Sequence, residues 1–330
     1  MLWLVVPLGV LIGVVGLGGI YQALATSRDS LMFLPPGKLI QIKDKNWHCQ
    51  IMGKGHPTVI VDSGTGGTHR DWQLVQPEVA KFTKILTYDR AGYGWSAVSS
   101  EPRTAQQVVS ELRQLLRQVE IEPPYVLVGM SLSGLFSRLF AYHYPEEVAG
   151  MVLVDVAHEK MYEETSVEWV ELNKRLEGLL TYVVPIIGRI GLLRLLITFD
   201  SVPMAAGLFQ KFPPSIRPLA KALYSQTQFG KTFAQESAAV SVSMNQVKQI
   251  RQTKPFPDIP LVNTLGVLPL ERVVNLIFPH HNWYQEFATN IAKLFIERMV
   301  ICMQHKPCPP FPPTTDLSTG SVRVSKGEDR

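Results

Sequence analysis

Cysteine is scarce in this chain: Cys49, Cys302 and Cys308 are the only three in 330 residues. They form neither a disulfide framework nor a paired C-x-x-C zinc spacing, so a disulfide-stapled scaffold and a zinc-finger class are both excluded. An excess of one charge sign is also missing. The net charge is +4 and the basic residues are scattered, which leaves no electrostatic footprint for nucleic acid. No internal repeat occurs, so the chain is not a solenoid. Charge is missing altogether from Met1 to Ser27.

That first stretch is the longest apolar run. Leu2 to Leu24 is almost wholly apolar or glycine, and about 20 such residues suffice to cross a bilayer as a helix. Trp3 and Tyr21 stand near its ends, where interfacial aromatics sit. Ala23-Leu24-Ala25 resembles a cleavage site, but no Lys or Arg precedes the run, and the run is long for a signal peptide. Residues 1–27 are therefore expected to be an uncleaved single N-terminal membrane anchor. Arg28, Lys38, Lys43 and Lys45 all follow it, which favours a cytoplasmic C-terminal domain.

Residues 28–37, ending in Pro35-Pro36-Gly37, read as a linker. Beyond it, strands alternate with helices over residues 38–155. Lys38–Ile42 and Trp47–Met52 predict an opening hairpin-like pair. Thr58–Asp62, Ile85–Tyr88, Tyr125–Val128 and Gly150–Val154 predict buried strands. Val108, Leu112, Leu115, Leu116 and Val119 recur at helical spacing, with Thr104 as the N-cap. This alternation predicts an α/β fold whose mostly parallel sheet has helices on both faces. Residues 156–253 show helical segments (163–180, 190–197 and 233–252) separated by prolines, and predict an inserted helical cap. Residues 254–305 return to the core pattern, with strands at 260–265 and 299–303 and a helix at 283–296. Residues 306–330 are proline-rich and then polar, and predict a disordered tail.

The most informative stretch is Tyr125-Val126-Leu127-Val128-Gly129-Met130-Ser131-Leu132-Ser133-Gly134. A strand ends at a glycine, a serine stands at the apex of the turn, and an apolar helix follows. This arrangement lifts the serine hydroxyl clear of the sheet edge and aims a helix N-terminus at it. Three motifs in order then resemble the α/β-hydrolase fold, and within it membrane-anchored bacterial serine hydrolases with a helical cap. The first is this turn, in which Ser133 stands where the family's G-x-S-x-G has its last glycine. The second is Ser63-Gly64-Thr65-Gly66-Gly67, in the place of the family's H-G-x-x-G oxyanion loop with serine for the histidine. The third is Asp89-Arg90-Ala91-Gly92-Tyr93-Gly94-Trp95-Ser96, similar to its D-x-x-G-x-G-x-S turn, a structural landmark without direct chemistry. The resemblance covers roughly residues 35 to 300.

It implies acyl transfer from an ester, or less readily an amide, to Ser131, followed by water. The N–H groups of Leu132 and Thr65 would form the oxyanion hole. Asp155, closing the strand after the elbow helix, matches one family position for the orienting acid; its plainer role is to cap the strand end. Asp258 precedes its strand and lies at the wrong end of the sheet. The base matches His305, two residues beyond the strand at 299–303, but proline-rich sequence replaces the family's final helix. His305 is then either the base, on a poorly held segment that leaves a weak hydrolase, or the chain lacks a base and is a non-catalytic member of the fold. His280 and His281 precede a helix and are poorly placed. His158 stands beside Asp155 as a substrate contact or a solvated loop residue. His48 and His143 are expected to be packing or surface residues, and His69 is close to the oxyanion loop. A small-molecule ester or acyl substrate is implied, with no metal or organic cofactor and no nucleic-acid partner; the oligomeric state is undetermined.

Overall fold

A computed structural model of the chain describes residues 2–161, 166–201, 209–210, 212–265 and 321–325. The expected base His305, the strand at 299–303, the helix at 283–296 and His280 and His281 lie outside the described residues.

The core is an eight-stranded sheet in the order β1-β2-β4-β3-β5-β6-β7-β8. Its strands are β1 (Lys38–Ile42), β2 (Lys45–Met52), β3 (Thr58–Asp62), β4 (Ile85–Tyr88), β5 (Tyr125–Met130), β6 (Val148–Val154), β7 (Leu261–Leu265) and β8 (Ser321–Ser325). Strands β3 to β7 pair in parallel, β1 and β2 join antiparallel at one edge, and β8 joins antiparallel at the other. Side chains alternate across the pleat, so each central strand feeds two cores. Val59, Val61, Val126, Val128, Val152 and Val154 point to one face, against Trp72, Val75 and Val79. Ile60, Leu127, Met151 and Leu153 point to the other, under α3 (Ala105–Gln118) and α4 (Ser133–His143). The expected face of α3 is buried, and the Thr104 hydroxyl caps it by accepting from the Gln107 N–H at 3.4 Å.

Several boundaries differ from the sequence reading. The N-terminal helix α1 runs Leu2–Met32, so it consumes half of the expected linker. Helix α5 (Val167–Arg189) continues through Pro185, whose fixed φ suits a helix although it costs one hydrogen bond. It is followed by α6 (Leu192–Thr198), α7 (Arg217–Tyr224) and α8 (Thr227–Ala238). The expected helix over 233–252 is broken at Ala239, and its second part, α9 (Val240–Thr253), packs on the core: Met244 and Val247 join the main cluster, and Ser243 accepts from the Ala105 N–H at 2.9 Å. Ser321–Ser325, expected in a disordered tail, pairs with the whole of β7. The alternation Val322-Arg323-Val324 is a strand signal that the polar surroundings obscured.

The cap helices hold a separate small core. Ile197, Phe209, Phe212, Leu219, Leu223 and Tyr224 cluster there, and Phe33 and Trp95 pack against them. The cap is thus tied both to the end of α1 and to the turn after β4.

Candidate active site

Ser131 sits between β5 and α4 with φ +55°, a left-handed conformation that costs a non-glycine residue roughly 1–2 kcal/mol. The surrounding bonds impose it. The Ser131 N–H donates to Val154 O at 3.2 Å, and its carbonyl accepts from the N–H groups of Gly134 (3.1 Å) and Ala157 (3.0 Å). Ser133 is fully buried, and its hydroxyl explains the departure from G-x-S-x-G. It accepts from the Met130 N–H at 2.7 Å and lies 3.0 Å from the Asp62 carbonyl, stitching the turn to the end of β3. The close approach that glycine allows is shifted to Gly134, where a Cβ would run into the Val156 side chain. Ser131 itself is exposed.

The glycine loop 63–67 stands directly against it. A Cβ built on Gly64 would lie 3.2 Å from the Ser131 Cβ. Ser63, in place of the histidine, is buried. It donates to Thr68 O at 2.8 Å and accepts from the Trp72 indole at 3.1 Å, so the loop is held by its own turn. Neither the Thr65 nor the Leu132 N–H has a hydrogen-bond acceptor among the described residues, which leaves both available to a developing oxyanion.

A buried charge network lies behind this loop, and the sequence reading missed it. Arg90 reaches Asp62 Oδ1 (2.5 Å), the carbonyls of Ser63 (2.5 Å) and Gly64 (2.7 Å), and both oxygens of Glu236 on cap helix α8 (2.9 and 3.0 Å). Glu236 also accepts from the Tyr93 hydroxyl at 3.0 Å and from the Gly66 N–H at 3.4 Å. Although burial opposes its charge, Asp62 and Glu236 keep the Arg90 guanidinium firmly protonated. At Asp62 burial outweighs Arg90 and pushes the carboxyl up. Arg90 lies inside a motif read as purely structural, while Glu236 is 146 residues away and carries no local signal.

Asp155 directly follows β6, with φ +47°. It keeps solvent access, and partial desolvation pushes its carboxyl up from the ordinary value. The following segment is pinned by Glu159, which pairs with Arg138 of α4 at 2.5 Å and Arg251 of α9 at 2.8 Å, while Arg138 also donates to Ala157 O at 2.9 Å. Burial works against the Glu159 charge, but the two guanidiniums hold its carboxyl down at about 2. His158 is half exposed, with Nε2 3.5 Å from Glu159 and Nδ1 accepting from the Lys160 N–H at 3.1 Å.

His48 and His69 form a different cluster. Both are buried, with Nδ1 at 2.7 and 3.0 Å from opposite oxygens of Asp89, which also accepts from the N–H groups of His69 (2.8 Å) and Trp95 (3.2 Å). Burial disfavours the Asp89 charge, but the two imidazoles more than offset it and hold the carboxyl well below its usual range. His48 is thus a partner of Asp89 rather than a plain packing residue. Among the described residues, this is the one group whose ligand atoms could converge on a metal. All four bonds to Asp89 are already satisfied, so the cluster is a hydrogen-bonded knot that shapes the turn after β4. Strand β3 lies between β4 and β5, which sets the knot about 10 Å from Ser131 across the sheet.

Residues 57–181 match a family model described as the α/β-hydrolase fold. An uncharacterized Bacillus subtilis protein, YqjL, is 35% identical over 105 residues, 32% of this chain and 42% of its own length. An AB hydrolase superfamily protein of Gibberella zeae is 33% identical over 127 residues, 37% of this chain and 39% of its own. The chain spans less than half the length of these curated relatives. The crystal structure of the Cif epoxide hydrolase from Acinetobacter nosocomialis superposes with a TM-score of 0.58 at 16% identity, covering 74% of this chain and 79% of that one. That likeness shows the fold alone.

Proposed function

We propose that this chain, an α/β-hydrolase by fold and by family match, is a membrane-anchored serine hydrolase acting on an ester. The observation that carries the reading is the Ser131 turn: an exposed serine held at φ +55° by three backbone bonds, with the glycine loop packed against its Cβ. Strain maintained by surrounding structure is typical of functional positions. A serine hydroxyl so placed attacks an acyl carbonyl while a base removes its proton. The N–H groups of Leu132 and Thr65 receive the oxyanion, the alcohol leaves, and water releases the acid from the acyl-enzyme. Asp155 orients the base, a role that the family resemblance assigns to His305.

The test uses a covalent serine-directed probe and a series of simple esters. Ser131→Ala is expected to abolish labelling and turnover with an unchanged melting temperature, since Ala meets the same backbone strain. Ser131→Gly is expected to abolish both and to raise stability by about 1 kcal/mol, because glycine adopts positive φ without penalty. Turnover retained in Ser131→Ala would remove serine from the mechanism. A wild-type chain that neither labels nor turns over any ester would make it a non-catalytic binding member of the fold.

A further inference from the structure

We infer that the exposed apolar face of cap helices α5 and α6 is seated in the same bilayer that α1 crosses, as a second, interfacial membrane contact. The inference rests on reading α1 as a membrane span, and it adds to that reading where the cap lies.

On α5, Leu172, Leu176, Leu179, Val183 and Ile186 recur at spacings of four and three residues, so they form one stripe along the helix. All five are exposed; Leu179 is 59% and Ile186 60% accessible, and Tyr182 beside them reaches 75%. On α6, Leu192 and Leu195 continue into Phe199 at the C-cap as a second exposed row, with Phe199 at 74%. From Gly178 to Gly188 the chain carries no charged side chain. The one charged residue between Ile190 and Phe199 is Arg194, which is buried against Asp29 and Gln22 of α1. A face of this size is not left to water in a soluble domain.

Its occupant follows from where α1 meets it. The α5–α6 corner packs on α1 at Gly18, where a Cβ would run into the Ile190 carbonyl, and Gly191 approaches Tyr21. The apolar run gives way at Tyr21 and Gln22, an interfacial-type aromatic followed by the first polar side chain, so the hydrocarbon layer ends near Tyr21. The corner therefore stands at the edge of the hydrocarbon layer, fixed there by the bonds of Arg194 to α1. Thr26, about 8 Å further along the helix axis, falls in the headgroup layer. At that level a cavity of about 700 Å³ is lined by Thr26, Gln226, Arg189 and Lys231, among others. Neither Arg189 nor Lys231 has a carboxylate partner among the described residues, and their charge matches anionic headgroups. Apolar stripe, corner depth and basic rim are the three features of an interfacial helix pair.

The experiment uses the full chain reconstituted in vesicles of phosphatidylcholine and phosphatidylglycerol, in a background with Cys302→Ser and Cys308→Ser; Cys49 is buried. Single cysteines at Tyr182→Cys, Ile186→Cys, Val10→Cys and Glu122→Cys carry a polarity-sensitive fluorophore, and doxyl groups on the lipid chains act as quencher. Labels at 10, 182 and 186 are expected to emit at shorter wavelength and to lose most of their intensity to the quencher, while the label at 122 does neither. Quenching at 10 with none at 182 and 186 overturns the cap contact and leaves the anchor standing. No quenching at 10 overturns the anchor reading, and this inference with it. Blue-shifted but unquenched labels at 182 and 186, with a shift that grows with protein density, place a second copy of the chain on the face and overturn the lipid assignment.

Discussion

Asp155 separates structural from functional cost at the residue scale. Its carboxyl is raised by desolvation, so the folded chain binds a proton more readily than the unfolded one between the ordinary Asp value and the raised value. Stability contributed by this group is therefore lost as pH rises through that window. Asp155→Asn, which cannot ionise, is expected to melt at the same temperature as wild type below about pH 4. At pH 7 it should melt at the same or a higher temperature. If Asp155 orients the base, the same change should lower turnover at least ~100-fold, since such losses reach ~10⁴ in the best-studied serine protease. Normal turnover in a normally folded variant would reduce Asp155 to a strand-end carboxylate.

At the scale of elements, the sharpest dependence is that of the glycine loop 63–67 on cap helix α8. Arg90 bonds the carbonyls of Ser63 and Gly64 on one side and Glu236 on the other, and all of these groups are buried. Removing one partner of a buried ion pair costs about 3–5 kcal/mol, because the other charge is left uncompensated. Here Asp62 still faces Arg90, which places Glu236→Gln at the low end, about 3 kcal/mol by chemical denaturation. Because the Gly66 N–H and two loop carbonyls share the network, kcat should fall more than KM rises. Unaltered stability and kcat would show that α8 merely covers the loop. The Gly92 backbone packs so closely on Thr232 of α8 that no side chain fits there, so helix and loop can meet only in this register.

For the whole molecule, α1 is both a candidate span and a structural part of the cap. Residues 5–17 are all exposed, whereas Gln22 donates to Ser225 O at 2.7 Å and Asp29 pairs with Arg194 at 2.5 Å. A chain starting at Gly18 is expected to keep the wild-type melting temperature and to be stripped from membranes by alkaline carbonate, which leaves the full chain in place. A chain starting at Arg28 should also melt several degrees lower, since it loses the partner of the Ser225 carbonyl and two acceptors for Arg194, on Gln22 and Thr26. Equal melting temperatures for the two truncations would mean that the α1–cap contact adds no stability.

Strands β1 to β7, the α3 face with its Thr104 cap, the elbow at Ser131 and the apolar N-terminal run were legible from the sequence, because each depends on residues within a turn or two of one another. Short continuous apolar runs marked Thr58 to Val61 and Tyr125 to Val128, a period of 3.6 marked α3, and the glycines marked the two loops that meet at Ser131. Tertiary structure alone decided the remainder. It assigned α9 to the core rather than the cap, because helix periodicity does not say which surface a helix covers. It set Arg90 between Asp62 and Glu236, and it drew His48 and His69 onto Asp89. It also returned Ser321–Ser325 to the sheet edge. Each of these joins residues tens to hundreds of positions apart, where the deciding quantity is desolvation of a charge or pairing of an open strand edge. A local pattern carries no record of either.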